Sequence, residues 1–355
     1  LYPYEQLPIV RALRGETSIV DDIEIHQGDK IIPIEGLGTP IYDTAGNLTY
    51  AIAAFRDITQ RKKAEADRIK LTDELININL AYSRFVPRQF LQLLNKESIL
   101  DVELGDQVQQ EMSVLFSDIR NFTTLSESMT PEDNFKFINA YLSRMEPAIS
   151  ENQGFIDKYI GDAIMALFNN LGADRAVNAG VSMLRRLATY NAERSKWGLP
   201  IIQIGIGINT GSMMLGTVGG HTRMDGTVIS DAVNLASRLE ELTKVYGVCL
   251  LISHHTFLAL SNPEEHAFRL IDRVKVKGKS KEVTVYEVFD ADPPELLKQK
   301  LLTKTVFEQA LLFYYMGDLP EAAKLFTRCL RVNPEDKVAK IYLQRCQEKG
   351  VEGWV

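Results

Sequence analysis

SVLFSDIRNFTTLSESM (residues 113–129) and FIDKYIGDAIMALF (residues 155–168) are the segments on which the reading of this chain turns. Each is an apolar, strand-like run that delivers one acid at an abrupt break. Asp118 follows Val114-Leu115-Phe116-Ser117, and Asp162 shares with Gly161 the turn between FIDKYI and AIMALF. A carboxylate at the end of an apolar strand is poorly solvated by its neighbours and needs a counter-charge. Two such acids in one compact unit could share a pair of divalent cations, because hard cations choose carboxylate and phosphate oxygens. Taken singly, Asp118 also suits a cap of the turn after it, and Asp162 a Gly-Asp hairpin position.

Outward from these segments, strand and helix patterns alternate from Glu111 to Phe289. SVLFSD reads as a strand, and Pro131–Asn152 as a helix with Phe135, Ile138, Leu142 and Met145 on one face. The 155–168 segment reads as a hairpin and Ala173–Lys196 as a second helix. IIQIGIGI and MMLGTVG read as strands, Asp231–Val245 as a helix, VCLLIS and VTVYEVF as later strands. The order β-α-β-β-α-β predicts an α+β sandwich on a ferredoxin-like plan.

Two further segments carry polar residues in a usable pattern. In TVISDAVNLASRLEE (227–241), Asn234 and Arg238 are four apart on the predicted helix and share a face, and Ser230 and Asp231 suit its start. Such a pair is also ordinary on a solvated surface. In RVKVKGKSKEVTVYEV (273–288), Lys275, Lys277, Lys279 and Lys281 alternate with other residues. An extended backbone would put them on one face, as a cationic strip for a triphosphate or as an edge strand guarded by lysines.

Composition bounds what the chain can do. At 355 residues, with 45% hydrophobic and 25% charged residues, it predicts a soluble globular protein of two or three domains. A net charge of -7 argues against a general nucleic-acid surface. Cys249, Cys329 and Cys346 are widely spaced, which indicates neither a disulfide framework nor a zinc site and fits a reducing, cytoplasmic compartment. No apolar run approaches the roughly 20 residues of a membrane helix. A chain that starts at Leu1 without Met is expected to begin inside a domain and to continue upstream.

Residues 1–59 alternate short apolar runs with turns, and Asp43-Thr44-Ala45-Gly46-Asn47 is a hairpin signal. ALRGE (12–16), PIYDTAGNL (40–48) and RDITQRKKAE (56–65) resemble the C-terminal part of a PAS sensor domain. Residues 60–110 read as a helical linker. Ala64, Leu71, Ile78 and Phe85 recur every seven residues, with Leu75 and Tyr82 between them. That pattern predicts a parallel coiled coil or an amphipathic helix packed on its own domain. Arg68 interrupts the start of the seam, and Pro87 ends the run. In residues 301–346, Gly317, Ala322, Ala323, Leu330 and Pro334 resemble one tetratricopeptide motif. A short helical hairpin is expected there, packed on the preceding domain or on a protein partner.

FSDIRNFT (116–123), KYIGDAIMALF (158–168), TVISDAVNLASRLE (227–240) and VKGK (276–279) together resemble the catalytic domain of class III nucleotidyl cyclases, over residues 111–290. The resemblance implies adenylyl cyclase activity on ATP. It implies that Asp118 and Asp162, with the backbone of Ile119, hold two Mg²⁺ or Mn²⁺ ions. The amides of Asn121, Phe122 and Thr123 then receive the terminal phosphates, as helix N-termini do, and Lys277 binds the triphosphate. Asn234 orients the ribose, Arg238 stabilises charge at the α-phosphate, and Lys158 with Thr227 reads the purine. Lysine donates to the bare N1 of adenine, whereas the N1–H of guanine would oppose it. The resemblance further implies a homodimer with shared sites, the metal acids from one protomer and Lys158, Thr227, Asn234 and Arg238 from the other. The Lys/Thr pair resembles the bicarbonate-responsive subgroup, which makes bicarbonate an expected effector. Asn121 replaces a glycine common in relatives, at some cost in backbone freedom.

Overall fold

A computed structural model describes residues 2–169, 172–220, 222–275 and 282–352, and these form two compact units, Leu1–Phe85 and Val86–Val355. In the first, helix α1 (Pro8–Leu13) precedes an antiparallel sheet of β1 (Ser18–Gln27), β2 (Lys30–Tyr42) and β3 (Leu48–Asp57). Asp43 closes the β2–β3 turn by accepting from the backbone N–H groups of Ala45 and Asn47. Helix α2 (Thr59–Tyr82) follows, and none of its residues is buried. Its heptad positions Leu71, Leu75, Ile78 and Tyr82 are all exposed.

The second unit runs α3 (Arg88–Leu93), β4 (Gln107–Ile119), α4 (Phe122–Glu127), α5 (Pro131–Glu151), β5 (Phe155–Ile160), β6 (Ala163–Phe168), α6 (Gly172–Lys196), β7 (Ile204–Gly220), β8 (Arg223–Ile229) and α7 (Asp231–Tyr246). It continues through β9 (Leu250–Ser253), α8 (His254–Leu258), β10 (Phe268–Lys275), β11 (Glu282–Val288), α9 (Pro294–Met316), α10 (Leu319–Val332) and α11 (Lys337–Glu352). The sheet order is β10-β11-β9-β7-β4-β6-β5, with β8 paired to β7. Its β7-β4-β6-β5 part, with α5 and α6 as crossovers, is the expected ferredoxin-like core.

Alternation along β4 sends side chains to two different layers. Leu115 and Ile119 join α5 and α6 in one core cluster, while Met112 and Val114 join α3, β8 and Ala236 of α7 in another. Helix ends follow local chemistry. The Thr130 hydroxyl accepts from the Asp133 N–H ahead of α5, and Ser230 accepts from the Ala232 N–H ahead of α7.

The sequence reading needs correction in several places. IIQIGIGI and MMLGTVG are not separate strands: most of both lies in the single strand β7. Phe135 is not on the packed face of α5; it is 71% exposed, and the buried stripe is Phe137, Tyr141, Met145, Ala148 and Ile149. Strand β8 has no counterpart in the sequence reading, because its charged residues mask the alternation, and the edge strand β10 starts at Phe268, ahead of the lysine-rich stretch expected to be extended. Where a hairpin is expected at 301–346, three helices pack against α7, β10 and β11 in a shared apolar cluster. No helix among the described residues is long and apolar enough to cross a membrane.

A buried ionic network ties those helices to the sheet. The Arg269 guanidinium on β10 donates to Glu287 Oε2 at 2.7 Å and to both Asp336 oxygens, at 2.5 and 3.0 Å. Lys300 on α9 donates to Glu287 at 2.6 Å and to Asp292 at 2.5 Å. Burial would raise the Asp336 pKa, but the Arg269 charge and hydrogen bond outweigh it and hold the carboxyl below its ordinary value. A depressed folded pKa gives stabilisation that is complete above the unfolded value of about 4 and is lost as pH falls through the folded value. Asp336→Ala, which strands the buried guanidinium, is therefore expected to cost about 3 kcal/mol in urea unfolding at pH 7. That deficit should shrink on acidification below about pH 4.

Candidate active site

The acids meet because β4 and the β5–β6 hairpin are neighbours. Asp118 is the penultimate residue of β4, and Asp162 occupies the two-residue turn after β5. The left-handed φ of +66° at Gly161 is what the first position of a type II′ turn requires. The Ile119 N–H donates to Asp118 Oδ1 at 3.0 Å and to Asp162 Oδ2 at 3.2 Å. Two carboxylates thus converge on one amide. The Asp162 pKa is pushed up to about 7, first by burial, then by its hydrogen bond to Asp118 and by the charge of that group.

Asp118 stands opposite Gly205 of β7, on the sheet face that α7 covers. A Cβ on Gly205 would lie 2.2 Å from Thr243 Oγ1 and 2.5 Å from Glu240 Oε1. At Gly207 it would lie 2.2 Å from the Glu240 nitrogen and 2.3 Å from the Ala236 oxygen. These glycines let the α7 backbone lie against β7. They also bring Glu240 toward the acids: its pKa is pushed up to about 7, by burial first and then by the Asp118 charge, while Arg120 pulls it down. Arg120, just after β4, donates to the carbonyl oxygens of Thr243 at 3.1 Å and of Val248. Nothing in the sequence marks Glu240 or Arg120, since neither is an acid at a strand end or a member of a spaced pair.

Asn121 adopts the left-handed conformation, φ 57° and ψ 31°, at the N-cap of α4. Asn is among the few residues other than glycine that enter that region readily. Phe122 and Thr123 open α4 and so contribute first-turn N–H groups without intrahelical partners.

Lys158 on β5 and Thr227 on β8 are 69 positions apart in sequence, and the fold brings them together. Lys158 Nζ donates to Thr227 Oγ1 at 3.1 Å. Asn234 and Arg238 lie on α7, whose buried stripe is Leu235, Ala236, Leu239, Thr243 and Tyr246. Asn234 is exposed and Arg238 half-buried. Among the described residues, no hydrogen bond or ion pair joins either of them to Asp118 or Asp162. Lys277, with the rest of VKGK, lies outside the described residues.

Residues 104–288 match the family of adenylate and guanylate cyclase catalytic domains. The chain is 48% identical over 213 residues to an adenylate cyclase of Anabaena cylindrica, a match covering 59% of this chain and 42% of that protein. It is 41% identical over 271 residues to the terminal-differentiation-specific adenylate cyclase of Dictyostelium discoideum, covering 74% of this chain and 13% of that one. The chain therefore spans less than half the length of either relative. A solved structure of a bacterial light-regulated adenylyl cyclase superposes with a TM-score of 0.57 at 25% identity, over 69% of this chain and 73% of that one.

Two acids held this close oppose folding when no cation is bound. A carboxyl whose folded pKa lies above its unfolded value loses stability as pH rises between the two. In EDTA at pH 8, Asp162→Asn should raise the melting temperature by roughly 2–4 °C. With Mn²⁺ added the order should reverse, because a cation bound to the native state stabilises only the chain that keeps both acids.

Proposed function

The chain belongs to the family of adenylate and guanylate cyclase catalytic domains, matched over residues 104–288, and from that premise we propose that it converts ATP to 3′,5′-cyclic AMP and pyrophosphate. The observation that carries this reading is the convergence of Asp118 and Asp162 on the Ile119 amide, on the sheet face covered by the helix that bears Asn234 and Arg238. In the reaction the ribose 3′ hydroxyl releases its proton to solvent, its oxygen bonds to the α-phosphorus, and the bond from that phosphorus to the oxygen bridging it to the β-phosphate breaks. Pyrophosphate leaves.

The residues present suit a divalent pair: two carboxylates converge on one amide, and burial first, then the Asp118 hydrogen bond and charge, raises the Asp162 pKa. Asp118, Asp162 and the Ile119 backbone would hold two Mg²⁺ or Mn²⁺ ions. Bound there, such ions supply Lewis acidity toward the 3′ hydroxyl and charge neutralisation along the triphosphate. The amides of Asn121, Phe122 and Thr123 receive the terminal phosphates, with Lys277 as their cationic partner. Asn234 orients the ribose. Arg238 binds the α-phosphate most strongly when its charge peaks in the transition state. Lys158 donates to adenine N1, and Thr227 accepts from the exocyclic amino group, which favours ATP over GTP.

Both residue sets are present in one chain, so we read the enzyme as a symmetric homodimer with two composite sites. The exposed stripe of α7 that carries Asn234 supports this, since it turns away from its own sheet. The exposed heptad apolar positions of α2 support a parallel coiled coil between protomers. We read residues 1–59 as PAS-like and regulatory, and α9–α11 as tetratricopeptide-like.

Purified chain with Mn²⁺ should form cyclic product from ATP and little from GTP; no cyclic product from either would overturn the reading. Arg238→Ala should lower kcat at least 100-fold (about 2.7 kcal/mol) with KM changed little, as measured by steady-state kinetics. Mixing Asp118→Ala chains with Arg238→Ala chains should restore activity, since one intact site forms per heterodimer. Absence of recovery would argue for sites contained within single protomers.

A further inference from the structure

The β5–β6 ladder carries one irregularity beside the purine pair. Ile156 pairs with Ala166 and Lys158 with Met165, so Asp157 is an extra residue bulged out of register. In a regular strand Asp157 and Lys158 would point to opposite faces. A bulge re-aims a side chain, and here Asp157 Oδ2 comes within 3.4 Å of Lys158 Nζ. The Asp157 side chain is only 3% exposed, and Oδ2 has no hydrogen-bond partner among the described residues. Burial pushes the Asp157 carboxyl upward in pKa, against the pull of the Lys158 charge. A buried acceptor left in this state is costly, so its place beside the one ammonium of the pair calls for a role.

The geometry of the ammonium suggests that role. It has three donors and no acceptor. Thr227 Oγ1 takes one at 3.1 Å, and Asp157 lies against the group from the bulge. We propose that Asp157 is a positioning residue for purine recognition: its buried carboxylate, brought beside Lys158 by the bulge, orients the ammonium through its charge so that one of the donors not taken by Thr227 meets N1 of adenine. The proposal rests on the cyclase reading and adds a residue to it. Without the carboxylate, Lys158 keeps its charge but loses the anchor that sets its direction, and affinity for an N1 acceptor falls while other contacts stay.

The test uses 3′-deoxy-ATP, which lacks the attacking hydroxyl, and its 1-deaza counterpart, which also lacks the N1 acceptor. Competition against a fluorescent ATP analogue gives Kd for each on the full chain. In Asp157→Asn, Kd for 3′-deoxy-ATP should rise about tenfold, while Kd for the 1-deaza compound stays within about twofold of wild type. Asp157→Glu, which restores the charge, should recover most of the discrimination. A purely structural role predicts equal weakening of both compounds, and that result, or no change in either, overturns the proposal. Should Asp157→Asn not fold, Asp157→Ser removes the charge in a smaller side chain, and the same constants decide. A wild-type chain that binds neither compound overturns the cyclase reading and this assignment with it. Wild-type binding in which no Asp157 variant alters N1 dependence overturns the assignment alone.

Discussion

Two carboxylates pointed at one backbone amide define this molecule. Asp118 and Asp162 are drawn to the Ile119 N–H, and their mutual repulsion works against folding. The surrounding structure holds them regardless, because Asp118 stands near the end of β4 and Asp162 just ahead of β6, and both strands have buried runs next to the acids. Leu115 and Ile119 are locked beneath α5 and α6, and Ile164 and Ala166 lie in the same cluster. Burial that fixes the strands therefore fixes the acids. A site that stores repulsion in this way trades stability for function.

The same logic of over-determination extends to α7. Its contact with β7 is close enough that Gly205 and Gly207 admit no side chain without displacing Glu240, Thr243 or Ala236. Arg120 ties the Thr243 carbonyl near its C-terminus, and the Val248 carbonyl just beyond it, to the end of β4. Beyond it, Tyr246 donates to Asp272, which also accepts from Tyr315 at 2.5 Å and Arg345 at 3.2 Å. The C-terminal helices thus grip the helix that carries Asn234 and Arg238, together with β10 through Arg269. They belong to the same compact unit as the cyclase fold and share its buried cluster.

Much of this was legible beforehand, and unevenly. Long elements with one apolar face or an apolar run, such as α5, α6, β4 and β6, declared themselves by periodicity. β8 and β10 did not, since Arg223, Asp225, Arg269 and Asp272 interrupt their alternation and only pairing with β7 and β11 makes them strands. Phe135 belongs to a stripe that helical spacing also fits, whereas the buried stripe runs through Phe137 and Tyr141. The buried charge on Arg269, Glu287, Lys300 and Asp336 had no sequence signature, because such ions are stabilised by partners far apart in the chain.

By itself the sequence determined the chemistry on offer: two strand-end acids, an Asn/Arg helix, a lysine and a threonine in separate motifs, and motif order that matched one enzyme family. These are local facts, set by residue type and by spacing within single elements. Tertiary structure alone decided which of them meet. It joined Lys158 to Thr227, brought Glu240 toward the acids, and through one extra residue in β5 turned Asp157 toward Lys158. Contact between distant residues depends on register and burial, and a one-residue shift in register sends a side chain to the other face of the sheet.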